Sequence, residues 1–424
     1  MSNLKHVTLD GVRIHLKKDE NKLWINGQYV LYLNSTSAFI VESLIDSSRD
    51  LPKEKVPDDV IRKMLKKYKI TEQKAKDDFD TIVGIINSFA RNEMPLHLVG
   101  MTVIDTENFN APNRMDISLT YNCNNNCGHC YLPKDKSIKG VPLTTNHWKE
   151  VIDKLWNIGI PQIVFTGGEP LTYPNIVELI SYSKEFTTGI ITNGTKLTLD
   201  LATQLKQSDL DWIQITLESM NKSTHDEMQG REGAFDETIQ GIKNAVSAGL
   251  LVSINATLTK KNYKDIGGLI KLANNLGVKY VSTNAIINSG KGIDAKKIDG
   301  ITEKQIKNAL LLGKQSALET DIHFDWFLPT CYKNLNPIEL GFGRRCCSAC
   351  TINMMIEPTG DTIPCQSWTQ EKLGNIMIDE WITIWNSPVA VKIRQKGFIP
   401  DKCKGCEYIS TCGGSCPLEA INSE

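Results

Sequence analysis

The sequence predicts an α/β protein: a partial (β/α)6 TIM-type barrel, with a small N-terminal α+β module before it and a cysteine-rich, loop-dominated domain after it. Three observations lead there. Strand and helix signals alternate between residue 115 and about residue 320. The first 105 residues contain no cysteine and read as short strands followed by helices. Nine of the 12 cysteines crowd into residues 331–416, where the alternation stops. A length of 424 residues fits two to three domains. The expected boundaries are 1–105, 110–320 and 321–424.

Composition excludes several classes. Hydrophobic residues make up 41% and charged residues 23%, as in soluble globular proteins and unlike disordered ones. The 48 basic and 49 acidic side chains leave a net charge of −1, so nothing global points to nucleic acid or a membrane surface. No apolar run reaches the length of a transmembrane helix. The start, Met-Ser-Asn-Leu-Lys-His-Val, has no apolar signal-peptide region. These features predict a reducing cytoplasm, where clustered cysteines bind metal more often than they form disulfides.

In the first zone, strands are expected at Val12–Leu16, Lys22–Asn26 and Gln28–Leu33. Asn34 or Ser35 is placed to cap a helix through Leu44, with Ala38, Ile40, Val41 and Leu44 on one side. Helices near Pro57–Tyr68 and Thr71–Arg91 follow. The Lys-rich run from Lys53 to Lys69 is interleaved with Glu54, Asp58 and Asp59, and reads as a solvated helix face.

Barrel strands are expected at Asp116–Thr120, Gln162–Thr166, Gly189–Asn193, Trp212–Leu217, Leu251–Thr257 and Tyr280–Ile287. The helices between and after them fall near Thr145–Trp156, Tyr173–Phe186, Thr198–Gln207, Phe235–Ala248, Tyr263–Leu276 and Glu303–Glu319. Short loops between repeated βα units imply a parallel sheet, and six units fit better than eight. The last zone offers a strand near Met354–Glu357 and a helix near Ile378–Trp385. Such a loop-rich segment relies on metal for stability.

The chemistry-bearing motifs sit at strand ends, where barrels of this kind place their sites. After the first strand comes Tyr121-Asn122-Cys123-Asn124-Asn125-Asn126-Cys127-Gly128-His129-Cys130-Tyr131. The spacing is C-x3-C-x2-C. Three thiolates can each bind one iron of a 4Fe–4S cube and leave the fourth iron open. Structural zinc wants four ligands, which this loop supplies only if His129 joins. Zinc and a buried trio without metal remain the alternatives. The second strand ends in Thr166-Gly167-Gly168-Glu169-Pro170. Its glycines allow close backbone approach, and Glu169 can accept hydrogen bonds from an ammonium.

These motifs resemble the radical S-adenosylmethionine (radical SAM) superfamily, whose signature is C-x3-C-x-aromatic-C after the first barrel strand. His129 fills the aromatic slot and Tyr131 follows the last cysteine. Gly167, Gly168, Glu169 and Pro170 match the family's Gly-Gly-Glu-Pro motif. The resemblance implies adenosine contacts at Asn193, after the third strand, and at Glu218 or Ser219, after the fourth. The family's Ser-Leu-Asp there reads Thr-Leu-Glu in this chain. An arginine common near Gln229 is displaced, with Arg231 its substitute. Asn255 on the fifth strand is a further SAM contact or, equally, a strand-end cap. The implied chemistry is reductive cleavage of SAM to a 5′-deoxyadenosyl radical, which abstracts a hydrogen atom from substrate.

The C-terminal cysteines resemble the SPASM extension, a domain with auxiliary iron–sulfur clusters; a zinc ribbon is the alternative for the last four. Ile356-Glu357-Pro358-Thr359-Gly360-Asp361-Thr362-Ile363-Pro364-Cys365 matches its hairpin. By the family's pattern Cys347 (or Cys346), Cys350, Cys365 and Cys416 would ligate one auxiliary 4Fe–4S cluster. Cys403, Cys406 and Cys412 would hold a second. The pattern's final cysteine is missing after Cys416. Cys331, or the spare one of Cys346 and Cys347, is a substitute; an open iron or no second cluster are the other outcomes.

The first 105 residues resemble the PqqD-like recognition element of peptide maturases, a winged-helix-like fold of three strands and three helices. Such modules bind a leader peptide as an added strand. The combination implies a maturase of a ribosomally made precursor peptide, of the sactisynthase or thioether-forming kind. Its expected electron donor is a flavodoxin or ferredoxin, with no nucleic acid and no membrane as partner. Carbon–carbon crosslinking, epimerisation, sulfatase-maturase-like oxidation and tetrapyrrole modification in the haem pathway are the rival outcomes on this scaffold.

Overall fold

The computed structural model describes residues 4–27, 29–91, 110–132 and 140–422. Gln28, the expected start of a strand, and the expected domain boundary between 105 and 110 lie outside them. The chain divides into two units. One is drawn from Met1–Ala111, Ile152–Gln162 and Glu185–Thr187, the other from Pro112–Val151, Ile163–Lys184 and Thr188–Glu424.

The first unit contains an antiparallel sheet of four strands in the order β1 (Leu4–Leu9), β2 (Val12–Lys17), β3 (Lys22–Ile25) and β4 (Tyr29–Tyr32). The sequence predicts three strands here, and β1 is additional. Its signal was the Asp10-Gly11 pair, whose positive φ angles of 50° and 80° make the tight hairpin to β2. Three helices follow, Ser35–Asp50, Val56–Lys67 and Glu72–Ala90. Asn34 caps the first by accepting from the Ser37 N–H at 2.8 Å, as expected. That helix continues past Leu44 because its buried face does, through Ile45 and Ser47. Sheet residues Ile14, Leu16, Leu23 and Ile25 pack on Ile40, Val41, Val60, Met64 and Phe79. Asp59 corrects the reading of the Lys-rich run: it is buried, accepting from Ser47 Oγ at 2.8 Å and pairing with Lys63 at 2.9 Å.

The second unit is organised by a ten-stranded sheet. Its strands are β5 (Arg114–Ser118), β6 (Gln162–Thr166), β7 (Thr187–Thr192), β8 (Trp212–Thr216), β9 (Leu251–Leu258), β10 (Tyr280–Ala285), β11 (His323–Trp326), β12 (Asn353–Ile356), β13 (Asp361–Ile363) and β14 (Gly374–Asn375). The order is β11-β10-β9-β8-β7-β6-β5-β12-β13-β14. The six expected strands are all present. Pairings of β7 with β8, β8 with β9 and β9 with β10 are parallel. Ile163, Val164 and Phe165 show the continuous apolar run of a strand buried on both faces.

The sheet extends beyond those six strands at both ends. β11 pairs parallel with β10, Tyr280 opposite His323, so residues 323–326 belong to this sheet. Four residues are too short for a period-two pattern to be read. At the other end β12 pairs parallel with β5, Asn353 opposite Arg114. The helices fall near their expected places, with some differences. Tyr173–Phe186 contains only Ile176–Tyr182, after a short turn of 3-10 helix at Pro170–Thr172; Ile378–Trp385 reduces to Trp381–Trp385; and Lys222–Gln229, Gly292–Asp299, Pro388–Arg394, Ile409–Cys412 and Pro417–Ile421 are additional. All 12 cysteines are free thiols. Among the described residues no helix is long and apolar enough to cross a membrane.

Gly313, in the helix Glu303–Leu318, faces the Phe324 ring of β11, and an added Cβ would overlap that ring. Gly313→Ala should therefore cost about 1–3 kcal/mol by overpacking. A lowered denaturant midpoint of the metal-free chain checks this; an unchanged midpoint would show that helix and strand do not approach so closely.

Candidate metal centre and its cysteine sets

Residues 121–132 follow β5 with no regular secondary structure, so their backbone groups need partners from elsewhere. The turn after β6 supplies one set. Gly168 N–H donates to Thr120 O at 2.6 Å and Glu169 N–H to Asn122 O at 2.8 Å. A Cβ on Gly168 would stand 2.5 Å from Tyr121 O. The two glycines are thus required by the cysteine loop itself, which passes directly against them. The C-terminus of Lys222–Gln229 supplies a second set: Asn126 N–H donates to Gln229 O at 3.0 Å, and Asn125 Nδ2 to Gln229 Oε1 at 2.8 Å. The turn after β10 supplies a third, with Lys291 N–H donating to Cys130 O at 2.9 Å.

Glu169 is fully buried. Its carboxylate accepts from Leu171 N–H at 3.0 Å, Thr192 Oγ1 at 2.5 Å and Asn193 N–H at 2.8 Å. The reading that it receives an ammonium meets a carboxylate already committed to joining the ends of β6 and β7. Burial pushes its pKa up to about 6, against which those hydrogen bonds pull down. Asn193 then reaches the loop, donating from Nδ2 to Asn124 Oδ1 at 3.0 Å and to Cys123 Sγ at 3.9 Å.

Glu218, at the end of β8, is the second buried carboxylate. It pairs with His129 Nε2 at 3.0 Å and accepts from Gln229 Nε2 at 3.3 Å and Thr257 N–H at 2.7 Å. His129 is therefore braced by Glu218, two candidate residues brought together. Ser219 accepts from Asn221 N–H at 3.0 Å, a local turn bond. Arg231 clasps Glu237 with both terminal nitrogens and donates Nε to Asn125 Oδ1 at 2.7 Å. Asn255 bridges to β10, donating to Asn284 at 3.0 Å and accepting from Ser282 at 3.0 Å. Gln229, which sequence reasoning used only as a landmark, touches Asn125, Cys127 and Glu218 at once. Its signal was its position at the helix C-terminus, before Gly230 at φ 62°.

Several of the C-terminal thiols are close enough to raise one another's pKa. Cys365 interacts electrostatically with Cys347, Cys350 and Cys416, and burial pushes the thiols of Cys347, Cys365 and Cys416 up to about 12. Burial also raises Cys350, which adopts φ 54°, a strained angle for a residue with a side chain. Burial raises the Cys403 thiol, reinforced by Cys331, Cys412 and Cys406. Among the described residues no three His, Cys, Asp or Glu side chains are grouped tightly enough to hold a single metal ion. A 4Fe–4S cube has a looser requirement, since each thiolate binds a different iron.

Comparison with known proteins decides the family. Residues 117–273 match the radical SAM superfamily and residues 346–407 match SPASM, an iron-sulfur cluster-binding domain. The chain is 30% identical over 338 residues to the antilisterial bacteriocin subtilosin biosynthesis protein AlbA of Bacillus subtilis, covering 76% of this chain and 71% of that one. The chain belongs to the radical SAM superfamily. It is also 28% identical over 320 residues to an AdoMet-dependent heme synthase of Methanosarcina barkeri, covering 72% and 91%. In fold it is similar to Streptococcus suis SuiB, solved with S-adenosylmethionine and with the precursor peptide SuiA. The TM-score is 0.65 at 17% identity, with 100% of this chain and 96% of that one covered.

This radical SAM enzyme has domains that imply a SAM-binding 4Fe–4S cluster and auxiliary clusters. Its residues fit such groups. Cys123, Cys127 and Cys130 lie on one braced loop, and nitrogen donors already point at sulfur, with Asn125 N–H 3.4 Å from Cys123 Sγ. Burial, reinforced by neighbouring thiols, raises Cys127. Loading the loop would require that thiol to give up its proton.

Gly168→Ala should shift the cysteine loop by forcing apart the Tyr121 and Asn122 carbonyls. SAM cleavage should fall about 100-fold, the penalty of a misplaced reacting geometry, while auxiliary iron is retained. Iron content and 5′-deoxyadenosine release measure both. Glu169 adds a pH effect. Its folded pKa of about 6 lies above the usual 4.5 of a glutamate, so its stability contribution is full below 4.5 and is lost as pH rises through about 6. Glu169→Gln should flatten that part of the pH–stability curve.

Proposed function

We propose that this protein is a radical SAM/SPASM maturase. It abstracts a hydrogen atom from a ribosomally made precursor peptide and forms an intramolecular thioether between a cysteine sulfur and a carbon of that peptide. Cys123, Cys127 and Cys130 hold the first cluster. Gly167 to Pro170, His129, Tyr131, Asn193, Glu218, Ser219, Arg231 and Asn255 position the loop and the cofactor around it. When bound, the cluster and SAM supply the 5′-deoxyadenosyl radical. Cys347, Cys350, Cys365 and Cys416 hold one auxiliary cluster, and Cys403, Cys406 and Cys412 belong to a second. A cytoplasmic flavodoxin or ferredoxin delivers the electron.

The observation that carries the peptide reading is the first unit. It is a four-stranded antiparallel sheet backed by three helices, and its order leaves β1 and β4 at the edges. An edge strand is where an extended leader peptide docks, through backbone hydrogen bonds that tolerate varied side chains. Tethering the leader holds the attached core peptide at roughly mM effective concentration. The likeness to AlbA, a bacteriocin biosynthesis protein, supports the same reading. The likeness to a heme synthase keeps tetrapyrrole modification as the rival.

The test is anaerobic reconstitution with iron and sulfide, then incubation with SAM, a low-potential reductant and the short peptide encoded beside the gene. The expected products are 5′-deoxyadenosine and a peptide lighter by two hydrogens per crosslink. An unchanged peptide with a consumed porphyrin would move the assignment to the rival. Replacing Cys123, Cys127 and Cys130 by alanine should abolish SAM cleavage and leave leader binding to the first unit intact, as read by fluorescence anisotropy.

A further inference from the structure

Strands β8 to β11 cover one face of the sheet and leave the other open. Along β9, Val252, Ile254 and Ala256 are buried, while Leu251, Ser253 and Asn255 keep exposed surface. β8 and β11 show the same alternation. The Phe324 ring lies against Gly313 of the helix Glu303–Leu318, so on β11 the covered side is that of Phe324 and Trp326. His323 and Asp325 stand on the open side, because successive residues of a strand alternate. Parallel register sets Thr216 of β8 beside Asn255 of β9, Asn255 beside Ser282 of β10, and Ser282 beside Asp325 of β11. Ser282 Oγ donates to Asn255 Oδ1 at 3.0 Å, so these side chains share one face. The row runs from Asn255, assigned above to the cofactor, to a carboxylate two strands away, about 10 Å at the usual strand spacing.

We propose that Asp325 is the general base that takes the proton from the substrate cysteine during crosslinking. The proposal rests on the thioether reading given above. A free thiol has a pKa of about 8.5 and is mostly protonated at neutral pH, whereas the thiolate is the form that bonds readily. Forming a C–S bond from C–H and S–H releases one hydrogen atom, one proton and one electron. The hydrogen atom goes to the 5′-deoxyadenosyl radical. The proton goes to Asp325. The electron needs a one-electron acceptor, the role an auxiliary 4Fe–4S cluster supplies when bound.

Asp325 is set apart from the other carboxylates of this sheet by one open oxygen. Glu169 and Glu218 hold strand ends together, and Asp116 is fully buried and paired with Arg114 at 2.8 Å. On Asp325, Oδ1 accepts both bonds, from Trp326 N–H at 2.7 Å and from Arg345 Nη2. Oδ2 has no partner among the described residues, and the side chain is 20% exposed. Arg345 is itself fixed. Its Nε donates to Trp326 O, and its N–H donates to Tyr332 Oη at 2.7 Å. The guanidinium therefore holds one carboxylate oxygen and leaves the other for a proton. Around Asp325 stand Arg345, the neutral Ser282, and His323 two residues back, whose ring pairs with that of Tyr280 at 5.8 Å.

The experiment compares the reconstituted full chain with Asp325→Asn, which keeps an oxygen for Arg345 and cannot take up a proton. At pH 7 crosslink formation should fall about 100-fold, at the low end of what a general base contributes. Release of 5′-deoxyadenosine, iron content and precursor affinity by fluorescence anisotropy should match the parent. At about pH 9, above the thiol's own pKa of about 8.5, most of the crosslinking should return, because the thiolate then forms without a base. Asp325→Glu should retain part of the activity at pH 7. Unchanged crosslinking by Asp325→Asn at pH 7 would overturn the proposal. So would a loss that persists in full at pH 9, or one matched by a loss of iron or of precursor affinity, since each marks a structural role. A parent enzyme that cleaves SAM and makes no thioether would overturn the thioether reading instead, a failure seen before any variant is made.

Discussion

A loop with no helix or strand of its own carries Cys123, Cys127 and Cys130, and it is held by hydrogen bonds to other elements. Buried backbone groups left without partners are costly. The turn after β6, the C-terminus of Lys222–Gln229 and the turn after β10 meet that demand, at Thr120 and Asn122, at Asn126, and at Cys130 respectively. Each brace comes from a different βα unit. The sheet thus converts the rigidity of several strands into the placement of one irregular segment. Gly168 is the point where this leaves no room for even a single carbon atom.

Two buried carboxylates do the joining at the next level. Glu169 ties the end of β6 to that of β7, and Glu218 ties β8 to β9, to Gln229 and to His129. A buried carboxylate is tolerated only when hydrogen-bonded, and each of these accepts three bonds or pairs. Residues that look in sequence like ligand contacts also join strand ends in this arrangement. Arg231 and Asn255 follow the same logic, the first through Asn125 and Glu237, the second through Asn284 and Ser282.

Much of this was legible beforehand, for physical reasons. Gln162–Thr166 was readable because burial on both faces makes an apolar run, and Trp212–Thr216 because its buried residues alternate. Helix starts at Asn34, Thr71 and Thr198 were readable because a capping side chain bonds a local backbone N–H. The cysteine spacing was readable because ligands on one loop must be close in sequence. What sequence hid was set by distant partners. β11 is short and exists by pairing with β10. Glu169 and Glu218 are spent on neighbours that only folding brings near. Asp59 sits among lysines yet is buried, because Ser47 reaches it from another helix.

The pairing of β12 with β5 bears on how the protein is made. Arg114 stands just ahead of the first cysteine loop, and its partner Asn353 is encoded more than half the chain later. Tyr121, at the mouth of that loop, likewise donates to Glu357 just past β12. A ribosome adds residues at about 5–20 per second, so the strand entering the loop waits many seconds for its flank. Until then β5 is a sheet edge, open to wrong partners. The first cluster therefore gains its finished surroundings only once the C-terminal domain has emerged, and a chain truncated before Asn353 should be deficient in it as well.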